Sequence, residues 1–126
     1  MIRIRKATQK QTVAAIKSGD FSEVEKIEDT ARQEAENVFH AVASGSVPLI
    51  WYDLPPVRCQ SGAVSVMRYA LHRSTKQDGF LQLSCMELKN GQIIPTSDRQ
   101  YNTTGTGFSE FFRDLPRSVN ANFLEQ

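Results

Sequence analysis

Cys59, His72 and Cys85 are the residues whose types first suggest chemistry. They lie in segments that alternate like strands, so neighbouring strands can bring them together as a zinc site or a thiol–imidazole pair. The spacing argues otherwise. Neither cysteine belongs to a Cys-x-x-Cys pair and His40 is remote in sequence, whereas a structural zinc takes about four close ligands. A buried cysteine commonly packs as a small hydrophobe. No metal and no cofactor is therefore expected.

A second constellation is His72, Asp98 and Tyr101, which would converge if an antiparallel sheet curled over a helix into a cup. That arrangement would make a small-ligand carrier or an enzyme, although fold compatibility alone establishes no chemistry. The chain has no His-Glu-x-x-His helix and no Gly-x-Ser-x-Gly elbow, and Asp98 has a simpler role capping a turn around "TSDRQ". The balance is against catalysis.

Third come groups suited to contact. His72 alternates in phase with Arg68, Val66 and Val64, and with Arg58 and Lys76 nearby this face offers a basic ridge for phosphate or carboxylate. A solvated strand face is the simpler explanation. Trp51 and Tyr52 are adjacent on one strand and so point to opposite faces. One enters the core, and the other, beside Pro55-Pro56, is the kind of aromatic on which protein interfaces are built.

Charge is unevenly spread although the net is only +1. Residues 1–19 hold Arg3, Arg5, Lys6, Lys10 and Lys17 with no acid, and residues 20–36 hold seven acids against Lys26 and Arg32. A second acid-free stretch, 57–76, carries Arg58, Arg68, Arg73 and Lys76. The adjacent blocks are expected to complement each other within the fold. The alternative is an external nucleic-acid partner met by residues 3–10 and 58–76.

These groups need a scaffold, and 126 residues with 40% hydrophobic content suit one self-sufficient domain, 1–126. Residues 1–20 read as a basic arm, with Ile2 and Ile4 alternating as an edge strand, and a short helix capped by Thr8, anchored by Val13 and Ile16 and ended by Gly19. The strongest pattern is 21–44. Ser22 and Glu25 have capping-box spacing, Val24, Ile27, Ala31, Ala35, Val38 and Val42 recur at steps of three or four, and Gly45 suits the cap.

From residue 47 the period turns extended, giving an antiparallel sheet over 47–102: "VPLIWYDL" stopped by Pro55-Pro56, then 63–73, then 80–88. Asn90-Gly91 tolerates the positive φ of a two-residue hairpin and sets Leu88 opposite Ile93 and Glu87 opposite Ile94. The polar stretch before Gly107 reads as a connector into a short helix, 107–116, faced by Phe108, Phe111, Phe112 and Leu115. Residues 117–126 read as a tail that packs Val119, Phe123 or Leu124, or stays loose.

The fold class is α+β: a long amphipathic helix packed on an antiparallel meander of three to four strands, with a short C-terminal helix. With no apolar leader and no long apolar run, the chain is expected to be cytoplasmic, with reduced thiols and no membrane contact. The expected function is a non-catalytic module that binds a protein, a second copy of itself included, through the uncovered sheet face. A nucleic-acid accessory protein and a cup-shaped ligand binder or enzyme are the alternatives.

Overall fold

Alternation of Ile2 and Ile4 with Arg3 and Arg5 produces β1 (Ile2–Arg5), with Ile4 buried. A computed structural model describes residues 1–124 of the chain. Helix α1 (Gln9–Ser18) opens on a capping box in which the Thr8 hydroxyl accepts from the Gln11 amide and the Gln11 side chain accepts from the Thr8 amide. Gly19, at φ 76°, ends it. Val13 and Ile16 do not anchor this helix: both are exposed, and Ala15 is the buried residue, because α1 packs along the flank of the next helix.

Helix α2 (Ser22–Ala43) is 22 residues long, about 33 Å at 1.5 Å per residue. The stripe Ala31, Ala35, Val38 and Val42 is buried, and Phe39 joins it. The expected Ser22–Glu25 capping box does not form. Ser22 already lies inside the helix, and its amide and hydroxyl instead donate to Asp20 Oδ1 at 3.0 and 2.7 Å. Those bonds hold the exposed Asp20 carboxyl below its ordinary range. At the other end Gly45, at φ 80°, follows the Ser44 cap.

Seven strands form one antiparallel sheet among the described residues: β1, β2 (Leu49–Asp53), β3 (Val57–Arg58), β4 (Val64–Arg73), β5 (Phe80–Lys89), β6 (Gln92–Asn102) and β7 (Ser118–Phe123). Their order is β1-β7-β2-β4-β5-β6, with β3 also on β4. Pro55-Pro56 ends β2 as expected, yet the chain resumes pairing at once as β3. The Asn90-Gly91 turn has φ of 52° and 73°, and Leu88 pairs Ile93 while Glu87 pairs Ile94. Beyond that hairpin Thr96 is an extra residue, a bulge opposite the Cys85–Met86 step, and its hydroxyl donates to the Cys85 carbonyl at 3.1 Å. Pro95 is tolerated there because β6 is an edge strand.

Residues 118–123, read from sequence as part of a loose or packed tail, are a strand inserted between β1 and β2. Val119 and Ala121 are buried on the helix side, and Leu124 stays exposed. The last two residues of the expected tail lie outside the described residues.

Helix α3 (Gly107–Asp114) then closes one end of the core. Phe111 packs between Phe39 and Tyr101, with ring centroids 5.5 and 5.6 Å away. Lys6 reaches across from β1 and donates to the Phe112 and Leu115 carbonyls at 2.5 and 2.7 Å, where a helix end leaves acceptors unpaired. The stretch leading into α3 is a tied connector: the Thr103 amide and hydroxyl donate to Gly79, and the Thr104 amide and hydroxyl donate to Asn102 Oδ1.

The first residue of α3 has no room for a side chain. A Cβ on Gly107 would lie 1.6 Å from the Asn102 carbonyl oxygen, so backbone would have to move. Gly107→Ala should lower the melting temperature by on the order of 10 °C, from an overpacking cost of about 1–3 kcal/mol and a shift of about 4 °C per kcal/mol. Calorimetry checks this, with Gly62→Ala, which meets no atom within 4 Å, separating the steric cost from that of a positive φ.

Candidate functional site

Strand alternation divides the side chains between two faces, and the helices cover only one of them. Toward the helices point Ile50 and Tyr52 of β2, Tyr69 and Leu71 of β4, Leu81, Leu83 and Cys85 of β5, and Arg99 and Tyr101 of β6. The opposite, outer face carries Trp51, Arg68, His72 and Asp98, and no described helix packs on it.

The outer face has three zones. At one end the His72 ring stands 3.0 Å from Ser84 Oγ, Gln82 donates to Ser84 and Asp98 at 3.2 and 3.3 Å, and Lys76 donates to Asp98 at 2.6 Å. In the middle, Arg68 forks onto both Asp53 oxygens at 2.7 and 3.0 Å and lies 4.2 Å from the Trp51 ring centroid. At the far end Val66, Leu88 and Ile93 form one cross-strand row, flanked by Met86, Pro95 and Val64. That row runs onto the ends of the β3–β4 and β5–β6 hairpins. Ile93 is 66% exposed, and Val57 and Val64 are also open to solvent.

Several expected convergences do not occur. Asp98 caps no turn, because "TSDRQ" is inside β6 and its carboxylate pairs with Lys76. His72 and Asp98 share the outer network, but Tyr101 is on the other side of the sheet and donates to Asp114 at 2.7 Å. Cys59, His72 and Cys85 are likewise apart. Cys59 is in the tight turn after β3, Cys85 faces the helices, and His72 faces outward.

The basic residues are also dispersed. Among the described residues no ion pair joins the blocks at 1–19 and 20–36; Glu28 instead accepts from the Ala7 amide at 2.9 Å. Lys6 is turned inward, and burial pulls its ammonium below the ordinary lysine range. Arg68 and Lys76 are held by Asp53 and Asp98, Arg73 lies against Gly45 at the other end of β4, and Arg58 is exposed beside Val64.

On the helix side, a cavity of about 250 Å³ opens between the sheet and the end of α3. Its floor is a cross-strand row of Tyr52, Tyr69, Cys85 and Ser97, with Leu83, Arg99 and Tyr101 beside it and Asp114 and Pro116 at the rim. Tyr52 and Tyr69 stack, their centroids 5.2 Å apart. Burial pushes the Tyr52 hydroxyl well above its ordinary value, and burial followed by the Asp114 bond does the same to Tyr101. Sequence reasoning named Tyr52, Cys85 and Tyr101 but missed Arg99 and Asp114. The in-phase run Ser97, Arg99, Tyr101 was a usable signal for Arg99, whereas Asp114 arrives from a separate helix.

No family model, curated protein or solved structure matches this chain.

Burial works to raise the Asp114 carboxyl, but hydrogen bonds from Tyr101 and Arg99 outweigh it and hold the group below its ordinary range. A depressed carboxylate contributes stability above its unfolded value, about pH 4, and loses it as pH falls through the lower folded value. Asp114→Asn should therefore lower the melting temperature at pH 7, and the gap from wild type should close as the pH is taken down from about 4 toward 2. A gap that persists unchanged in acid would contradict this account of the carboxylate.

Proposed function

We propose that this protein is a non-catalytic binding module that contacts protein through the outer sheet face, and that the partner this surface fits is a second copy of the chain. The observation that carries the reading is the apolar row Val66, Leu88 and Ile93, with Val64, Met86 and Pro95 around it, on a face where no described helix packs.

The chemistry suits self-association. The row itself is uncharged, Glu87 and Lys89 alternate to the other face, and Arg58 beside Val64 is the charge at its edge, so a two-fold copy meets little like-charge repulsion. Burying an exposed Ile or Val is worth about 1.5–3 kcal/mol where cover is complete. The polar groups that flank the row are already tied in pairs, Arg68 with Asp53 and Lys76 with Asp98, so association need not strip them of partners. Cys59 and Cys85 are both free thiols, which suits a reducing compartment such as the cytoplasm.

Sedimentation equilibrium over a range of concentrations should give twice the chain mass. Ile93→Glu should return the mass to one chain and weaken association by roughly a hundredfold, from about 3 kcal/mol, with the melting temperature of the monomer held because this side chain is exposed. A wild-type mass of one chain at every concentration would remove the second copy as partner.

A further inference from the structure

The cavity beneath α3 is on the opposite side of the sheet from the proposed contact surface, so its chemistry stands apart from that reading. Its hydrogen-bonding groups are unevenly matched. Asp114 already accepts from Tyr101 at 2.7 Å and Arg99 at 2.9 Å, whereas only Nη1 of Arg99 is engaged. Among the described residues the hydroxyls of Tyr52 and Ser97 have no hydrogen-bond partner, although Tyr52 is 1% exposed. The Tyr52 ring is buried, but its hydroxyl is not sealed in: it opens onto the cavity, where a ligand oxygen can reach it.

Three features then describe what would fill that space. Arg99 has a free Nη2 and Ser97 a free hydroxyl on one strand, while Asp114 is already engaged by Tyr101 and Arg99, so an anion is favoured at that end. The stacked Tyr52–Tyr69 rings on the floor, with Leu83 and Pro116 beside them, give the space an apolar part, which suits a ring. A volume near 250 Å³ lies just below the range of about 300–1,000 Å³ typical of ligand pockets, so the ligand is small.

We propose that this cavity binds a small aryl carboxylate, its carboxylate at Arg99 and Ser97 on β6 and a second oxygen, at the far end of the ring, at the Tyr52 hydroxyl. Arg99 and Ser97 are two residues apart and on the same face of β6, so both donors approach the carboxylate from one strand. Tyr52 enters from β2, three strands away in the sheet order, and marks the deep end. A tyrosine hydroxyl is protonated at neutral pH, so Tyr52 can donate to the ligand's second oxygen.

The test uses the full chain and 4-hydroxybenzoate as probe, with benzoate and 4-hydroxybenzamide as controls, followed by calorimetry and by amide chemical shifts along β5 and β6. 4-Hydroxybenzoate should bind, with the amide at least tenfold weaker. Tyr52→Phe, which removes a hydroxyl that bonds nothing in the fold, should weaken 4-hydroxybenzoate roughly tenfold and leave benzoate nearly unchanged. Arg99→Gln should weaken both carboxylates. The proposal is overturned if neither carboxylate binds at millimolar concentration, if the neutral amide binds as well as the acid, or if Tyr52→Phe, folded by its melting temperature, binds 4-hydroxybenzoate as wild type does.

Discussion

Burial of the α2 stripe against one face of the sheet is the constraint from which the other features descend. Ala31, Ala35, Val38, Phe39 and Val42 are nearly inaccessible, and they share one cluster with Ile50, Leu71, Leu81 and Val119 from the strands. A helix with an apolar stripe must cover it, and an antiparallel sheet can offer one face while leaving the other to solvent. Since α2 and α3 both pack on that side and α1 lies against α2, the outer face has no described helical cover. There Arg68 is held by Trp51 and Asp53, and His72 by Ser84, instead of by a core.

The second layer of organisation is the closure at α3. Its aromatic side chains complete the core through Phe39 and Tyr101, Lys6 satisfies its last carbonyls, and the Gly107 backbone presses against Asn102. Closure is incomplete toward β6. There the helix ends at Asp114, and the Tyr52–Tyr69 stack and Ser97 face a space that neither α2 nor α3 fills. The same packing that buries Phe111 therefore produces a polar-floored cavity at its margin.

Local patterns were legible where one physical rule acted alone. Asn90-Gly91 fixes a register because both residues accept positive φ, and the observed pairs Leu88–Ile93 and Glu87–Ile94 follow directly. The α2 stripe and the Thr8 cap were readable for the same reason. Reading failed where two rules competed. Val13 and Ile16 have a helical period but face solvent, and Ser22 lost its capping role to Asp20. β7 alternates Val119, Ala121 and Phe123 with Ser118, Asn120 and Asn122, yet asparagine and alanine are poor strand formers, so the pattern resembled a tail.

By itself, then, the sequence determined most element types, β3 and β7 excepted, together with the hairpin register and the apolar side of β4, since these depend on residues close together in the chain. Tertiary structure decided what meets what. It turned Lys6 from a surface charge into a helix cap, set His72 and Tyr101 on opposite faces, and brought Asp114 to Arg99 and Tyr101. The physical reason is distance along the chain: the partners of Lys6 are 106 and 109 residues away, and no local periodicity encodes a contact of that range.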